Sequence, residues 1–222
     1  MVIRGEELGA TANARQLAIG QPSLARFYLG RFEEGQELLR GVADAMGLEE
    51  DALTQIRTFG GLAAAYGPES ETRERLHALM VDVDRLSAAT LGGMLHAANW
   101  LGERDIAADI AARLEPLAAR LVGSVPASPV CARHLGAAAA LLGKPDDARV
   151  YYLQALELCA KIRFRPEIAL TRLQLAELLL EHYPDERGEA LEHLDFAISE
   201  FREMKMQPSL ERALRHRGLL KA

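Results

Sequence analysis

One kind of punctuation recurs along this chain and limits what it can fold into. Glycines at 30, 67, 102 and 143 each sit between two helix-like runs, at separations of 37, 35 and 41 residues. A period of about 34 to about 47 residues is the signature of stacked helix hairpins, where each unit buries its apolar face only against its neighbours. Glycine suits the turn because the first helix ends there, which takes a residue tolerant of the left-handed conformation. Composition points the same way. Of 222 residues, 49% are hydrophobic but only 5% aromatic. Small or unbranched apolar residues among many Glu and Arg favour packed helices over sheets. The expected fold class is all-α, a right-handed α-solenoid in a single domain. It has about five hairpins, near 8–47, 51–84, 86–121, 128–161 and 166–204, and a capping helix over 208–221.

The clearest unit is PVCARHLGAAAALLGKPDDARVYYLQALELCAK, from Pro129 to Lys161. Ser128 and Pro129 supply an N-cap and a first-turn proline. Leu135, Ala138, Ala139 and Leu142 form an apolar stripe at helical spacing. Gly143 stops that helix, and Pro145, Asp146 and Asp147 open the next, with acids placed against its N-terminal dipole. Ala148, Tyr152, Ala155, Leu156 and Cys159 or Leu158 make the second buried face. Gly136, Ala148 and Ala155 are small enough for the two helices to approach closely.

Leu135-Gly136, Gly143, Asp146-Asp147-Ala148, Tyr151-Tyr152 and Ala155-Leu156-Glu157-Leu158 together resemble the tetratricopeptide repeat (TPR). Ala132 and Ala160 depart from that motif, which often has Trp and Pro there. The other units match more loosely. Phe59-Gly60, Gly67, Leu76 and Leu79 mark the second, with Thr72 where the motif has a small alanine; Met94, Gly102 and Ala107 mark the third. The first has Leu29-Gly30-Arg31-Phe32 at its turn, and Gly20 and Pro22 predict a kink or a break in its opening helix. The fifth runs through Leu173, Leu175, Ala176, Leu178 and Leu179, turns at HYPDER without a glycine, and continues through Ala190, Leu194, Ala197 and Phe201. The last helix carries Arg212, Arg215, His216, Arg217 and Lys221, with an apolar stripe of Leu210, Ala213, Leu214 and Leu219 or Leu220. A polar-sided end helix is what a solenoid needs as a cap.

Residues 129–222, and the rest more loosely, are also similar to the C-terminal TPR-like region of bacterial multidomain signalling proteins. In those, an AAA/STAND-type ATPase and a cyclase, kinase or LuxR-type DNA-binding output domain precede the array. The resemblance implies a sensor or scaffold module in signalling or transcriptional regulation. Its partner is then a protein or peptide, among them an ATPase or output domain of the same pathway. It supplies no catalytic residue. Other readings are a peptide-signal-binding regulator, a non-enzymatic C-terminal fragment of a larger ATPase or cyclase protein, and a helical enzyme with a site of unfamiliar form. An N-terminal hairpin without an obvious polar cap also raises self-association into a homodimer.

The formal net charge of −6 argues against a general nucleic-acid binder. The longest charge-free helix-like stretch, Ser87 to Gly102, is shorter than the ~20 apolar residues of a membrane span. Two cysteines, Cys131 and Cys159, are too few for a disulfide scaffold and read as reduced thiols. No apolar leader follows Arg4, Glu6 and Glu7, so the expected location is the cytoplasm. Gly143-Lys144 is followed by proline and lacks the upstream glycine of a phosphate loop. His-Glu-x-x-His, Gly-x-Ser-x-Gly and paired Cys-x-x-Cys motifs do not occur. We therefore expect a non-enzyme with no cofactor and no metal. His182 and His193, beside Glu181 and Glu192, read as surface histidines at the hairpin end.

The candidate functional residues follow from geometry. In a TPR-like stack the first helix of each hairpin lines a concave groove. The motif register puts Arg57, His96, Asn99, Trp100, Arg133, Gln174, Glu177 and Glu181 on that face. Trp and Arg are the types most enriched among binding hot spots. Trp100 alternatively packs between hairpins. A second candidate is a basic patch of Lys161, Arg163, Arg165 and Arg172, suited to a phosphate or an acidic partner unless nearby Glu157, Glu167 and Glu203 pair with it.

Overall fold

The helices begin and end where local chemistry asks them to. In the computed structural model, residues 22–23, 25–38, 69–86, 88–119 and 131–219 are described. Eight helices are defined among them: α1 Glu69–Met80, α2 Ala88–Leu101, α3 Arg104–Leu114, α4 Cys131–Leu141, α5 Pro145–Ile162, α6 Arg165–His182, α7 Arg187–Glu203 and α8 Gln207–Leu219. Residues 25–28 and 32–38 are also helical, on either side of a turn at Gly30. No strand occurs among the described residues, so the fold is all-α. Among the same residues no helix is long and apolar enough to cross a membrane. The opening of the first hairpin, the first helix of the second with Gly67, and the Ser128-Pro129 cap lie outside the described residues.

Helix α5 shows the local logic. Pro145 occupies the first turn, Asp146 and Asp147 face the N-terminal dipole, and Lys161 lies in the last turn. Gly30, Gly102 and Gly143 all take left-handed backbone, with φ of 79°, 71° and 78°. At each, the following N–H reaches back five residues: Arg31 to Arg26 (2.8 Å), Glu103 to Ala98 (2.9 Å) and Lys144 to Ala139 (2.9 Å). That bond satisfies a carbonyl the helix end would otherwise orphan. The joints between hairpins do the same without glycine. Arg163 and Lys205 adopt φ of 56° and 58°, and Phe164 and Met206 donate to the carbonyls of Cys159 and Phe201.

Each helix from α2 onward packs on the next. In addition α2 touches α4, α4 touches α6, and α6 touches α8, so the odd-numbered helices α3, α5 and α7 back a row formed by the even-numbered ones. The apolar stripes bury as their spacing requires. Leu173, Leu175, Ala176, Leu178 and Leu179 of α6 meet Ala190, Leu194, Ala197 and Phe201 of α7, with Met206 and Ala213 beyond. Leu76, Met94, Leu95, Ala107, Ile110 and Leu114 form the core nearer the N-terminus, and Tyr151 packs against both groups. Leu214, expected in the stripe of the last helix, is instead 42% exposed, while its neighbour Ala213 is fully buried.

Helices α4 and α5 approach closely, and a Cβ placed on Gly136 would lie 2.7 Å from the Tyr152 ring. We predict that Gly136→Ala destabilises the chain by about 1–3 kcal/mol through overpacking. Gly188→Ala meets nothing within 4 Å and gains about 0.5–1 kcal/mol from helix propensity. Urea denaturation of the two variants checks the opposite signs.

Candidate functional site

The row of even-numbered helices carries a buried polar network, and its centre is Arg133. This arginine sits in the first turn of α4 and is 2% exposed. Its guanidinium grips Glu167, in the first turn of α6 and fully buried: Nε donates to Oε2 at 2.6 Å, and an η nitrogen to Oε1 at 3.2 Å. The other η nitrogen donates to Gln174 Oε1, about two turns further along the same face of α6, at 3.2 Å. Glu167 Oε1 also accepts the Tyr28 hydroxyl at 2.8 Å. A buried charge persists only when paired and hydrogen-bonded, and this carboxylate has both a forked cation and a phenol.

His134 adjoins the same guanidinium, its Nε2 3.2 Å from Arg133. Arginine only donates, so this imidazole nitrogen accepts and the ring proton sits on Nδ1. That Nδ1–H has no hydrogen-bond partner among the described residues. His96, on α2, meets the His134 ring edge-on at 5.0 Å between centroids. Asn99 Nδ2 donates to the His134 carbonyl at 3.0 Å, tying α2 to α4. Burial, reinforced by the charges of Arg133 and then Arg212, lowers the His96 pKa to about 3. Burial and Arg133 likewise push His134 well below the ordinary imidazole value. Both rings are therefore neutral near pH 7.

A second cluster closes the row. Glu177 of α6 accepts from Arg212 Nε at 2.7 Å, and His216 Nε2 lies 2.9 Å from the same carboxylate. Burial alone raises the Glu177 carboxyl, but the bond to His216 and the charge and bonds of Arg212 outweigh it and hold it below the usual range. Arg217 pairs with Asp195 of α7 at 2.8 Å. The basic side of the last helix thus rests on acids of α6 and α7.

Of the residues the sequence nominates, His96, Asn99, Arg133 and Gln174 come together in one network, and Glu177 joins α6 to α8. Arg133 is not a free groove side chain, because Glu167 takes its charge inside the fold. Trp100 is 49% exposed and Glu181 is exposed, each in the last turn of its helix. Arg57 lies outside the described residues. The four basic residues near the joint of α5 and α6 do not converge. Lys161 pairs with Glu157 at 2.7 Å, and Arg165 with Glu200 at 2.7 Å and Glu203 at 2.6 Å. Arg172 stacks 4.2 Å over the Phe196 ring, and Arg163 serves as the left-handed residue of the joint. His182 and His193 join no group of three or more metal-binding side chains among the described residues. Cys131 and Cys159 are buried free thiols whose pKa burial raises to about 12, values unsuited to thiolate chemistry near pH 7.

Sequence reasoning gave no role to His134 or Tyr28; it set Glu167 beside the Lys161–Arg172 patch rather than against Arg133, and read Arg212 and His216 only as the basic side of a capping helix. A signal for several of them exists. Asn99 and His134 are separated by 35 residues, Arg133 and Glu167 by 34, Arg165 and Glu200 by 35, and Glu177 and Arg212 by 35. Polar partners thus recur one hairpin apart.

Two predictions follow from this electrostatic arrangement. Glu167→Gln leaves a buried guanidinium poorly compensated and costs about 3–5 kcal/mol, whereas joining Arg133→Met to Glu167→Leu restores most of the loss. A double-mutant cycle in denaturant measures this. The second concerns pH. A histidine whose folded pKa lies below its unfolded value of 6.5 takes up its proton first in the unfolded chain, so acidification below about pH 6.5 destabilises the fold. Between about pH 6 and about pH 5 the loss is up to about 1.4 kcal/mol per pH unit for each such ring. His96→Gln flattens the pH dependence of stability by up to that amount, and an unchanged slope means that His96 titrates freely. No family model matches the chain, and no curated protein matches it.

Proposed function

We propose that this chain is a TPR-like interaction module that holds a protein or peptide partner along the row of α2, α4, α6 and α8. One observation carries the reading: these helices touch one another in series while α3, α5 and α7 back them. Such a row gives a continuous face, and its length suits an extended segment or a helix. The polar network fixes the spacing of the row. It leaves the exposed ends of the helices, with Trp100 and Glu181, to meet the partner. An exposed tryptophan supplies contact area at low entropic cost, which is why Trp anchors so many interfaces. The assignment to bacterial signalling, with an ATPase or output domain as partner, rests on the resemblance of residues 129–222 to the arrays of such proteins.

Site-specific photocrosslinking in the native host tests the reading. A photoreactive residue at Trp100 or Glu181 is expected to trap one and the same partner. The same residue at Val150 or Leu153, exposed on the backing helix α5, is expected to trap none. Equal capture from α5, or none from the row, overturns the assignment of the face.

A further inference from the structure

The segment around Tyr28 comes from the far end of the chain, yet it rests on the helices assigned to partner binding. Its hydroxyl bonds Glu167 across 139 residues of sequence. Tyr28 also packs against the apolar group that draws on α4 through α8 and includes Met206 and, at its margin, Leu210. Two residues on, the left-handed Gly30 lies so close to the start of α8 that a Cβ there would fall 2.7 Å from Pro208 Cγ. A hydrogen bond to a buried carboxylate, an aromatic contact and a backbone approach open only to glycine thus converge at one end of the row.

From this convergence we infer that the chain occupies its own binding face: residues 25–38 are a built-in ligand, and a partner engages the α6–α8 end of the row only by displacing them. The inference rests on the reading of that row as the binding face. It also names what the incoming segment must offer. Removal of Tyr28 takes a donor from Glu167 Oε1 and uncovers apolar surface. The competitor therefore brings an aromatic or aliphatic side chain ending in a hydrogen-bond donor, as a tyrosine does. Thermodynamically the occupant lowers the apparent affinity of any competitor by the fraction of time the face is open.

The test uses the full chain and a fluorescently labelled synthetic peptide of residues 22–38 as the competing segment. Tyr28→Phe removes the hydroxyl that bonds Glu167 and keeps the ring. Gly30→Leu drives a side chain into Pro208. Gly102→Ala serves as a control, because it has similar left-handed backbone with nothing within 4 Å to strike. Hydrogen exchange over residues 25–38 reports whether the segment has lifted, and fluorescence anisotropy reports peptide binding. If the segment covers the face nine-tenths of the time, its release raises the peptide affinity about ten-fold. We expect that gain for Gly30→Leu, a smaller gain for Tyr28→Phe, and none for Gly102→Ala. Equal peptide binding to wild type and to a chain whose segment has lifted overturns self-occupancy while leaving the face as a binding site. No peptide binding to any chain, despite a lifted segment, overturns both readings. Unchanged exchange over 25–38 in Gly30→Leu shows that these contacts do not hold the segment, and also overturns the inference.

Discussion

The fully buried carboxylate of Glu167 is the constraint around which the inner helices are arranged. A charge in that position requires an opposite charge and donors for its lone pairs, and burial leaves little freedom in how they are supplied. The Arg133 fork meets the need from the neighbouring helix and Tyr28 completes it from the N-terminal segment. Once the guanidinium is committed there, its remaining nitrogen sets the position of Gln174, and its charge helps keep His134 and His96 neutral. One ion pair therefore links α4 to α6, influences the protonation of α2, and anchors a segment from the opposite end of the chain.

The two kinds of contact between hairpins have different physical characters. Apolar contacts such as those between α6 and α7 are broad and non-directional. Forked ion pairs such as Arg165 with Glu200, or Arg149 with Glu186, require a defined offset between helices. These outer pairs are at least partly exposed to water, so their contribution to stability is small. Their direction nonetheless favours one offset over its neighbours. The buried Arg133–Glu167 pair does this with far more force, since any slip there leaves a charge without compensation.

What the sequence disclosed were features whose cause is local. The glycines at 30, 102 and 143 mark left-handed helix ends because little else fits there, and the Leu and Ala stripes of α6 and α7 are buried because their spacing leaves one apolar face. Gly136 reads as a close approach because its motif neighbours are small. The site was only partly legible. Motif register indicates which helix faces inward, but not which inward side chain finds a partner one hairpin away. Arg133 therefore reads as a free groove residue when its charge is already taken. The contact of Tyr28 with Glu167 lies between residues at nearly opposite ends of the chain, where neither period nor propensity carries information. The left-handed Arg163 and Lys205 were equally hidden, since basic residues there give no turn signal of the kind glycine gives.

The one-hairpin spacing of polar partners bears on how such a chain can change over generations. Repeat proteins commonly grow and shrink by gaining or losing whole units, because each unit contacts only its neighbours and the new joint resembles the old. Here each joint is individually keyed. Loss of the hairpin formed by α4 and α5 would bring α2 against α6, presenting Asn99 and His96 to a carboxylate that needs an arginine. Loss of α8 would strip Glu177 of both Arg212 and His216. The helices from α2 to α8 share a common plan but are not interchangeable parts, so their order is held more tightly than their similar packing suggests.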